Sequence, residues 1–421
     1  MLANLFFSIC VPTRNRPETL KYCLKSLIHQ DYDNYEIIVS DNSDGMESKL
    51  IVDELNSNKI KYFKQNTVLP MTDNFEFAVA QATGEYVICI GDDDGLVINS
   101  LQYLYNFIQQ YKAKVVKCCT VTYCWKGSLI NKDSTLTHPT SRAVTEVNSK
   151  SVLQKVFAME FDYFHLPMIY YGAVHKSVIE KIKSIQGSYF SDSASVDIYS
   201  GMCIAWIEEK FYISDYPFTI MGNSAKSNGT NHHQRNNKKN LISNEFVKLG
   251  KIDLLYQKHN VVKLHHNVKS ITWLSMMQFV HNFKLQKEDL IVNDKKFFLR
   301  LNNPNVILHK INFDSEIEAS FAEANYSKQW MDDTLKTLGK TPSYYPDLYS
   351  MVHFFTGHKT IDPLMFDVDN VYDAAILCYN LREASIHDKP ILLKAKNIKE
   401  ARNRKLKLAV KVAWQKLVGM I

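Results

Sequence analysis

Three consecutive aspartates, Asp92–Asp94, stand between two glycines directly after an apolar run of the chain. That run, Glu85–Ile90, has the composition of a buried strand. Adjacent carboxylates repel one another, so a cationic partner stabilises such a cluster. Mg²⁺ and Mn²⁺ suit the cluster because they bind one or two carboxylates and complete their shell with water and phosphate oxygens. The alternative interpretation is a solvated acidic turn at the end of the strand.

Two further polar turns follow predicted strands nearby. Pro12–Arg16 come directly after Leu5–Val11, and Asp41 comes directly after Glu36–Ser40. In open parallel sheets the ligand lies beyond the carboxyl ends of the strands, so these turns and the aspartates are expected at one edge. The first turn lacks the glycines of a dinucleotide-binding fingerprint. Asp41 alone is equally consistent with an Asx turn or a helix cap.

Strand and helix patterns alternate along the first 125 residues. A proline at Pro17 suits the first turn of a helix, and the apolar spacing of Leu20, Leu24 and Leu27 continues it. The other elements predicted here are helices at Met46–Leu55, Thr72–Ala82 and Asn99–Tyr111, and strands at Lys59–Lys64 and Lys114–Tyr123. This order predicts an α/β fold with a mainly parallel sheet and helices on both faces.

Composition sets broad limits on the class of protein. The chain has 421 residues, of which 46% are hydrophobic and 22% are charged, which excludes a disordered or fibrous protein. Its eight cysteines form no CxxC pair, so we expect reduced thiols rather than a disulfide framework. We find neither the features of a signal peptide nor a run of eighteen apolar residues, so the sequence predicts no membrane span and a cytoplasmic location.

The net charge of +6 is unevenly distributed. Residues 391–421 hold nine basic residues and one acidic residue, so the remainder of the chain is slightly acidic. An amphipathic helix over residues 398–421 would place basic side chains beside an apolar arc, which predicts peripheral attachment to an anionic membrane surface. The alternative is a terminal helix that packs on the protein. Binding of nucleic acid by the tail is a weaker hypothesis than either, so no nucleic-acid partner is predicted.

The N-terminal region resembles a known family, the inverting nucleotide-sugar glycosyltransferases of family 2, which have the GT-A fold. The resemblance is carried by residues 8–16 (Ser-Ile-Cys-Val-Pro-Thr-Arg-Asn-Arg), residues 35–44 (Tyr-Glu-Ile-Ile-Val-Ser-Asp-Asn-Ser-Asp), residues 82–86 (Ala-Thr-Gly-Glu-Tyr) and the triad that ends at Asp94. It is specific over about the first hundred residues, and a weaker similarity extends to about residue 225. The resemblance implies a GT-A catalytic domain over residues 1–225. A flexible linker (226–240), a helical C-terminal domain (241–395) and the basic tail (396–421) are expected after it.

The resemblance implies roles for the polar turns. Pro12, Thr13 and Arg16 become candidates for contact with the nucleotide donor, and Asp41 for accepting a hydrogen bond from the base. Asp92 would face the ribose. Asp94 would hold Mn²⁺ or Mg²⁺, with Asp93 sharing either task, and a histidine of the polar loop, His232 or His233, is a further candidate ligand.

An inverting transfer also needs a general base to take the proton of the acceptor hydroxyl. Asp197 is the first candidate, because it opens an apolar helical run as the base of the family does, and Asp192 is the reserve. Helix capping is the competing interpretation for both residues.

The sequence therefore predicts a metal-dependent, inverting glycosyltransferase that acts at the cytoplasmic face of the membrane. It lacks the Gln-x-x-Arg-Trp pattern of processive synthases, which indicates transfer of a single sugar. The expected donor is a UDP-sugar, and the expected acceptor is a saccharide or a lipid-linked saccharide of a surface polysaccharide. A nucleotidyltransferase and a noncatalytic binding module remain alternatives.

Overall fold

A computed structural model gives the fold of the protein. It describes residues 5–128, 135–139, 144–227, 246–259, 261, 268–286, 289–290, 329, 359–361 and 368–387. The statements below concern these residues. The predicted His232 and His233 ligands, the basic tail and most of the predicted linker lie outside them.

Alternating strands and helices build the N-terminal half, as the sequence predicts. Pro17 stands at the first helical position of α1, and the burial of every residue in β1 and β2 explains their apolar composition. The elements are β1 (Phe7–Thr13), α1 (Pro17–Ile28), β2 (Tyr35–Asp41), α2 (Glu47–Leu55), β3 (Ile60–Lys64), α3 (Met71–Ala80), β4 (Tyr86–Cys89), β5 (Gly95–Leu96), α4 (Ser100–Tyr111), β6 (Val115–Cys118), β7 (Val121–Cys124), β8 (Thr135–His138) and β9 (Val144–Asn148).

The second part of the chain adds strands to the same sheets and helices to their faces. Its elements are α5 (Ser149–Phe157), a 3₁₀ turn (Tyr163–His165), β10 (Ala173–His175), α6 (Lys176–Gln186), α7 (Val196–Ile207), β11 (Lys210–Ser214), β12 (Thr219–Asn223), α8 (Ile252–Lys258), α9 (Val268–Asn282), β13 (Lys359–Ile361) and α10 (Val371–His387). Helices α8, α9 and α10 fall in the region 241–395, for which the sequence predicts helical structure.

The main sheet has the strand order β3-β2-β1-β4-β10-β6-β11-β9. Its first four strands are parallel, and β10 enters antiparallel between β4 and β6. The register pairs Thr13 with Asp41, so β1 and β2 end at the same level. Since β4 is the other parallel neighbour of β1, the three polar turns lie at one edge of the sheet.

A second sheet, of order β13-β8-β7-β12-β5, was not expected from the sequence. The single strand predicted at Lys114–Tyr123 is wrong, because the chain leaves the main sheet after Cys118 and enters the second sheet at Val121. The parallel partner β11 makes the same transfer into β12, and the Cys119 N–H donates to the Ser214 carbonyl between the two sheets. Apolar composition does not reveal this change of sheet, because residues on both sides of it are buried.

Hydrophobic cores lie on both faces of the main sheet. Along β1, Ile9 and Val11 face α1 and α4, whereas Cys10 faces the side covered by α3 and α5–α7. This arrangement confirms the predicted α/β class. Side chains of α8 and α9 join the core on the Cys10 side of the sheet. Helix α10 packs against α1 and β5 in a separate hydrophobic cluster. The division of the chain into domains stays a prediction.

The described part of the chain contains no helix that is long and apolar enough to cross a membrane. All eight cysteines are free thiols, and all but Cys119 are buried.

Candidate active site

Asp92 joins the ends of β1 and β4. The Thr13 hydroxyl donates to Asp92 Oδ2 at 2.5 Å, and Arg16 Nη2 lies 3.0 Å from Asp92 Oδ1. Thr13 is the last residue of β1, and Arg16 directly precedes α1. Two of the predicted donor-binding residues therefore contact the acidic cluster directly, while Pro12 lies one position earlier in β1, opposite Ser40.

Only one carboxylate oxygen of Asp93, Oδ2, accepts hydrogen bonds from the described residues. Its Oδ2 accepts hydrogen bonds from the Ser224 hydroxyl at 2.7 Å and from the Ser224 N–H at 3.3 Å. Its Oδ1 lies 3.8 Å from Arg16 Nη1, the one ion pair found for that oxygen among the described residues. Of the three carboxylates, Asp93 therefore keeps the most capacity for a further ligand.

Asp94 is fully enclosed by hydrogen-bond donors. Its Oδ2 accepts from the Gly91 N–H at 2.7 Å and from the Tyr170 hydroxyl at 2.8 Å. Its Oδ1 accepts from the Gly222 N–H at 2.7 Å and from the Tyr171 hydroxyl at 3.2 Å. Because each carboxylate oxygen offers about two lone pairs, this carboxylate has no acceptor position left over.

Burial and charge shape the electrostatics of the cluster. Burial of the carboxyl raises the pKa of Asp94 well above its ordinary value, and burial raises the pKa of Asp92 to about 6 although Arg16 opposes the change. Burial disfavours the guanidinium charge, but the neighbouring carboxylates hold the pKa of Arg16 above its ordinary value. One guanidinium does not balance three ionised carboxylates, so either bound protons or a further cation must compensate the remaining charge of this buried cluster.

The two tyrosines reach Asp94 from a strained turn. Tyr171 has a φ of +64°, a conformation that costs free energy in a residue with a β-carbon. The turn is held by the Cys89 carbonyl, which accepts from the Tyr171 N–H at 3.1 Å. Strain of this kind persists where surrounding contacts demand it, and here it aims both phenols at one carboxylate.

Asp41 lies in its own polar cluster at the end of β2. Its Oδ1 accepts from the Ser43 N–H at 2.9 Å, which is the Asx turn that the sequence left open. Its Oδ2 accepts from the Tyr62 hydroxyl at 2.6 Å and lies 3.4 Å from Lys64 Nζ. Asp41 is fully buried. Contact with a nucleotide base therefore stays a prediction for this residue.

The two candidate bases differ in their partners. Asp197 lies in the first turn of α7 and accepts a short hydrogen bond from the Ser195 hydroxyl. Asp192 is exposed and lies 2.6 Å from Lys258 Nζ. Although partial burial opposes it, this ion pair holds the pKa of Asp192 below its ordinary value, which reduces the basicity of Asp192.

Hydrogen bonds connect the segment before α7 to the carboxyl edge of the sheet. The Thr72 hydroxyl, in the first turn of α3, donates to the Ser193 carbonyl at 2.8 Å. Leu69, just before α3, exchanges hydrogen bonds with the Asn42 side chain at the end of β2. The candidate bases therefore lie on the same side of the molecule as Asp41.

Several contacts of the site were not found by sequence reasoning. Gly222 and Ser224 received no role from the sequence, whereas Gly222 belongs to β12 and both residues hold the acidic cluster. The signal in the sequence was the small, polar Gly-Asn-Ser run at the end of an apolar stretch. Tyr170 and Tyr171, to which no role was assigned from the sequence, both donate hydrogen bonds to Asp94.

The described residues contain no group of three or more histidine, cysteine, aspartate or glutamate side chains arranged to hold a metal ion. A hard cation does not need such a group, because it binds through one or two carboxylates together with water and phosphate oxygens. The residues fit that mode best at Asp93, since a cation on Asp94 would have to displace one of its four donors.

The fold is α/β, and its acidic cluster lies beyond the carboxyl ends of parallel strands, the edge at which open sheets of this kind bind ligands. Residues 8–167 match the sequence model of glycosyl transferase family 2. This match confirms the family resemblance.

Two curated relatives are similar to parts of the chain. A GalNAc(5)-diNAcBac-PP-undecaprenol beta-1,3-glucosyltransferase of Campylobacter jejuni is 29% identical over 217 residues, which are 49% of this chain and 61% of that protein. The abequosyltransferase RfbV of Salmonella typhimurium is 34% identical over 119 residues, 27% of this chain and 35% of that protein. The chain therefore spans less than two thirds of the length of either relative.

Among solved structures, Staphylococcus aureus TarS 1-349 in complex with UDP-GlcNAc aligns with 80% of this chain and 91% of its own length. The sequence identity is 15% and the TM-score is 0.45.

Proposed function

We propose that this protein is an inverting, metal-dependent, nonprocessive glycosyltransferase that moves one sugar from a UDP-sugar to a lipid-linked saccharide in surface polysaccharide synthesis. The observation that carries the proposal is the cluster of Arg16 with Asp92 and Asp93, at the shared carboxyl edge of β1 and β4, inside the segment that matches the family. The name of the Campylobacter relative, a transferase for an undecaprenol-linked acceptor, supports the acceptor class.

The donor would lie along this edge. Pro12 and Thr13 end the strand on which the nucleotide rests, and Asp41 accepts from the base. Arg16 keeps Asp92 and Asp93 in place, so that Asp92 would face the ribose and Asp93 would hold Mn²⁺ or Mg²⁺. When bound, the cation would offset the charge that builds on the diphosphate leaving group.

Asp197 would act on the acceptor. Its carboxylate takes the proton of the acceptor hydroxyl while that oxygen forms a bond to the anomeric carbon. The bond between that carbon and the diphosphate oxygen breaks on the opposite face, and the nucleoside diphosphate leaves with the electron pair. The product then carries the inverted anomeric configuration.

The location follows from the acceptor. We propose that the protein works at the cytoplasmic face of a membrane, where residues 398–421 attach it to anionic lipids.

A screen of UDP-sugars with Mn²⁺ tests the proposal. We expect calorimetry to show Mn²⁺-dependent binding of at least one UDP-sugar, and release of UDP when a saccharide acceptor is added. Absence of turnover with intact UDP-sugar binding would instead identify a noncatalytic binding module. Release of diphosphate from a nucleoside triphosphate would favour a nucleotidyltransferase.

Two variants assign the roles. Asp93→Asn should remove the Mn²⁺-dependent part of UDP affinity, about tenfold or more, because it loses the carboxylate with spare capacity. Asp197→Asn should retain UDP affinity and lower turnover by at least about a hundredfold. Unchanged Mn²⁺ dependence in Asp93→Asn would move the metal to another residue, and near-normal turnover in Asp197→Asn would exclude that residue as the base.

A further inference from the structure

The segment that precedes the candidate base, residues 189–195, has neither helical nor strand structure. Side chains of α3 hold it on one side. The Glu76 carboxylate accepts from the Tyr189 N–H at 2.9 Å and from the Phe190 N–H at 2.7 Å, and Thr72 donates to the Ser193 carbonyl. We call residues 189–195 the clamped segment.

Helix α9 holds the clamped segment from the other side. The Gln278 Oε1 accepts from the Ala194 N–H at 3.0 Å, and its Nε2 donates to the Asp192 carbonyl at 3.1 Å. One turn further along α9, the Asn282 amide donates to the Ser191 hydroxyl at 3.3 Å and to the Tyr199 hydroxyl at 2.7 Å. The side-chain amide of Gln278 therefore makes two hydrogen bonds to the backbone of the clamped segment, as the backbone of a neighbouring strand would do.

The surroundings of Gln278 show that its amide is not explained by packing. Gln278 is fully buried, and Leu274, Met276 and Phe279 on the same helix are buried in the hydrophobic core. An apolar side chain would fill this space at no cost in desolvation, whereas a buried amide is tolerated only when its hydrogen bonds are made. Both groups of this amide bond to the clamped segment.

We infer that Gln278 is a positioning residue for the glycosyl transfer, because it fixes the clamped segment that delivers Asp197 to the acceptor. The segment runs directly into α7, where Ser195 donates to Asp197. The inference rests on the proposed function, and it gives the C-terminal helix α9, outside the matched family segment, a part in the site.

The variant Gln278→Met tests this inference in the full-length protein, because methionine keeps the length of the side chain and removes both hydrogen bonds. Ser275→Ala is the matched control. Ser275 lies on the same helix and is fully buried, and its hydroxyl has no hydrogen-bond partner within the described residues.

For Gln278→Met we expect kcat to fall about ten- to a hundredfold, since small displacements of a reacting group are that costly. The Kd for UDP with Mn²⁺ should stay within about twofold of wild type, since the donor residues lie on other elements. In an Asp197→Asn background the same substitution should have no further effect on turnover. Ser275→Ala should resemble wild type in each assay.

Hydrogen exchange by mass spectrometry separates this inference from the proposed function. In Gln278→Met, but not in Ser275→Ala, amides of residues 191–197 should exchange faster, whether or not a sugar donor has been found. Unchanged exchange there would overturn the inference, and so would a kcat equal to that of Ser275→Ala. If wild type shows no transfer while exchange rises as expected, the positioning holds and the proposed function fails. Asn282→Ala, at a half-buried position, provides the same comparison if Gln278→Met does not fold.

Discussion

Asp94 and Asp93 are neighbours in the chain, yet their carboxylates have different surroundings. Asp94 accepts four hydrogen bonds from two backbone amides and two tyrosines, whereas Asp93 has an oxygen whose described ion-pair partner is 3.8 Å away. The family resemblance implies that Asp94 is a metal ligand, which stays a prediction. Its contacts favour a structural role, in which Asp94 ties β4, the Tyr170–Tyr171 turn and β12 together.

Gly222 provides a prediction about this network. A β-carbon at position 222 would lie 1.8 Å from the Asp93 carbonyl oxygen, so Gly222→Ala must push β12 away from the acidic cluster. We expect a loss of about 2 to 3 kcal/mol in the free energy of unfolding, the usual cost of forced overpacking. Affinity for UDP should also fall, as measured by calorimetry.

Gly187→Ala is a useful control for Gly222→Ala. Gly187 ends α6 with a φ of +89°, and a β-carbon there meets no atom within 4 Å. The expected cost is about 1 kcal/mol from backbone strain alone, with UDP affinity unchanged. Equal effects of the two substitutions on UDP affinity would contradict the proposed role of Gly222.

At the scale of elements, local patterns predicted most of the first half of the fold. Strands β1–β4 and helices α1–α4 lie within about two residues of their predicted ends, because apolar periodicity and Pro17 act over a few neighbouring residues. The change of sheet after Cys118 and the pairing of β10 between β4 and β6 depend on partners more than fifty residues away. Local patterns do not contain that information.

The residues of the candidate site also divide into those that local patterns predict and those that depend on distant contacts. Thr13, Arg16 and the aspartates were predicted to lie together because they end or follow strands that are adjacent in a parallel sheet. Tyr171, Gly222 and Gln278 were not identified from the sequence, because the hydrogen bonds of each depend on which atoms it faces after folding. Contacts across more than a hundred residues, such as that of Gly222 with Asp94, decide this.

The contact between the ends of α8 and α9 leads us to expect that the free energy of unfolding depends on pH. His259, at the end of α8, lies against His281 of α9, and burial lowers the pKa of His259 to about 4. The unfolded chain binds this proton below about 6.5 and the folded protein only near 4, so the free energy of unfolding should fall as pH decreases through this window. Since solvent reaches part of the ring, we expect a loss of about 1 kcal/mol.

His259→Phe should remove this part of the acid sensitivity. Neither ring nitrogen of His259 has a hydrogen-bond partner among the described residues, so its replacement by phenylalanine removes no hydrogen bond to them. Urea denaturation at pH 7 and pH 5 measures the difference. Parallel stability changes in the variant and in wild type would show that another group carries the dependence.

At the scale of the whole molecule, the charge of the chain is concentrated in the basic segment that ends the sequence. Deletion of residues 398–421 should reduce flotation with liposomes containing phosphatidylglycerol, since each basic residue contributes about 1 kcal/mol near an anionic surface. UDP binding should be unaffected. Equal flotation with and without these residues would reject the proposed attachment, and salt-sensitive binding to duplex DNA with no liposome preference would favour the nucleic-acid alternative.

The four donors around Asp94 have a consequence for biosynthesis. Gly91 precedes Asp94 by three residues, but Tyr170, Tyr171 and Gly222 leave the ribosome much later, and all three follow the family match that ends at residue 167. At about 5 to 20 residues per second, Asp94 therefore spends several seconds or more without three of its four donors. During that interval its carboxylate is open to water and cations on the nascent chain, and its shell of donors is complete only when β12 docks.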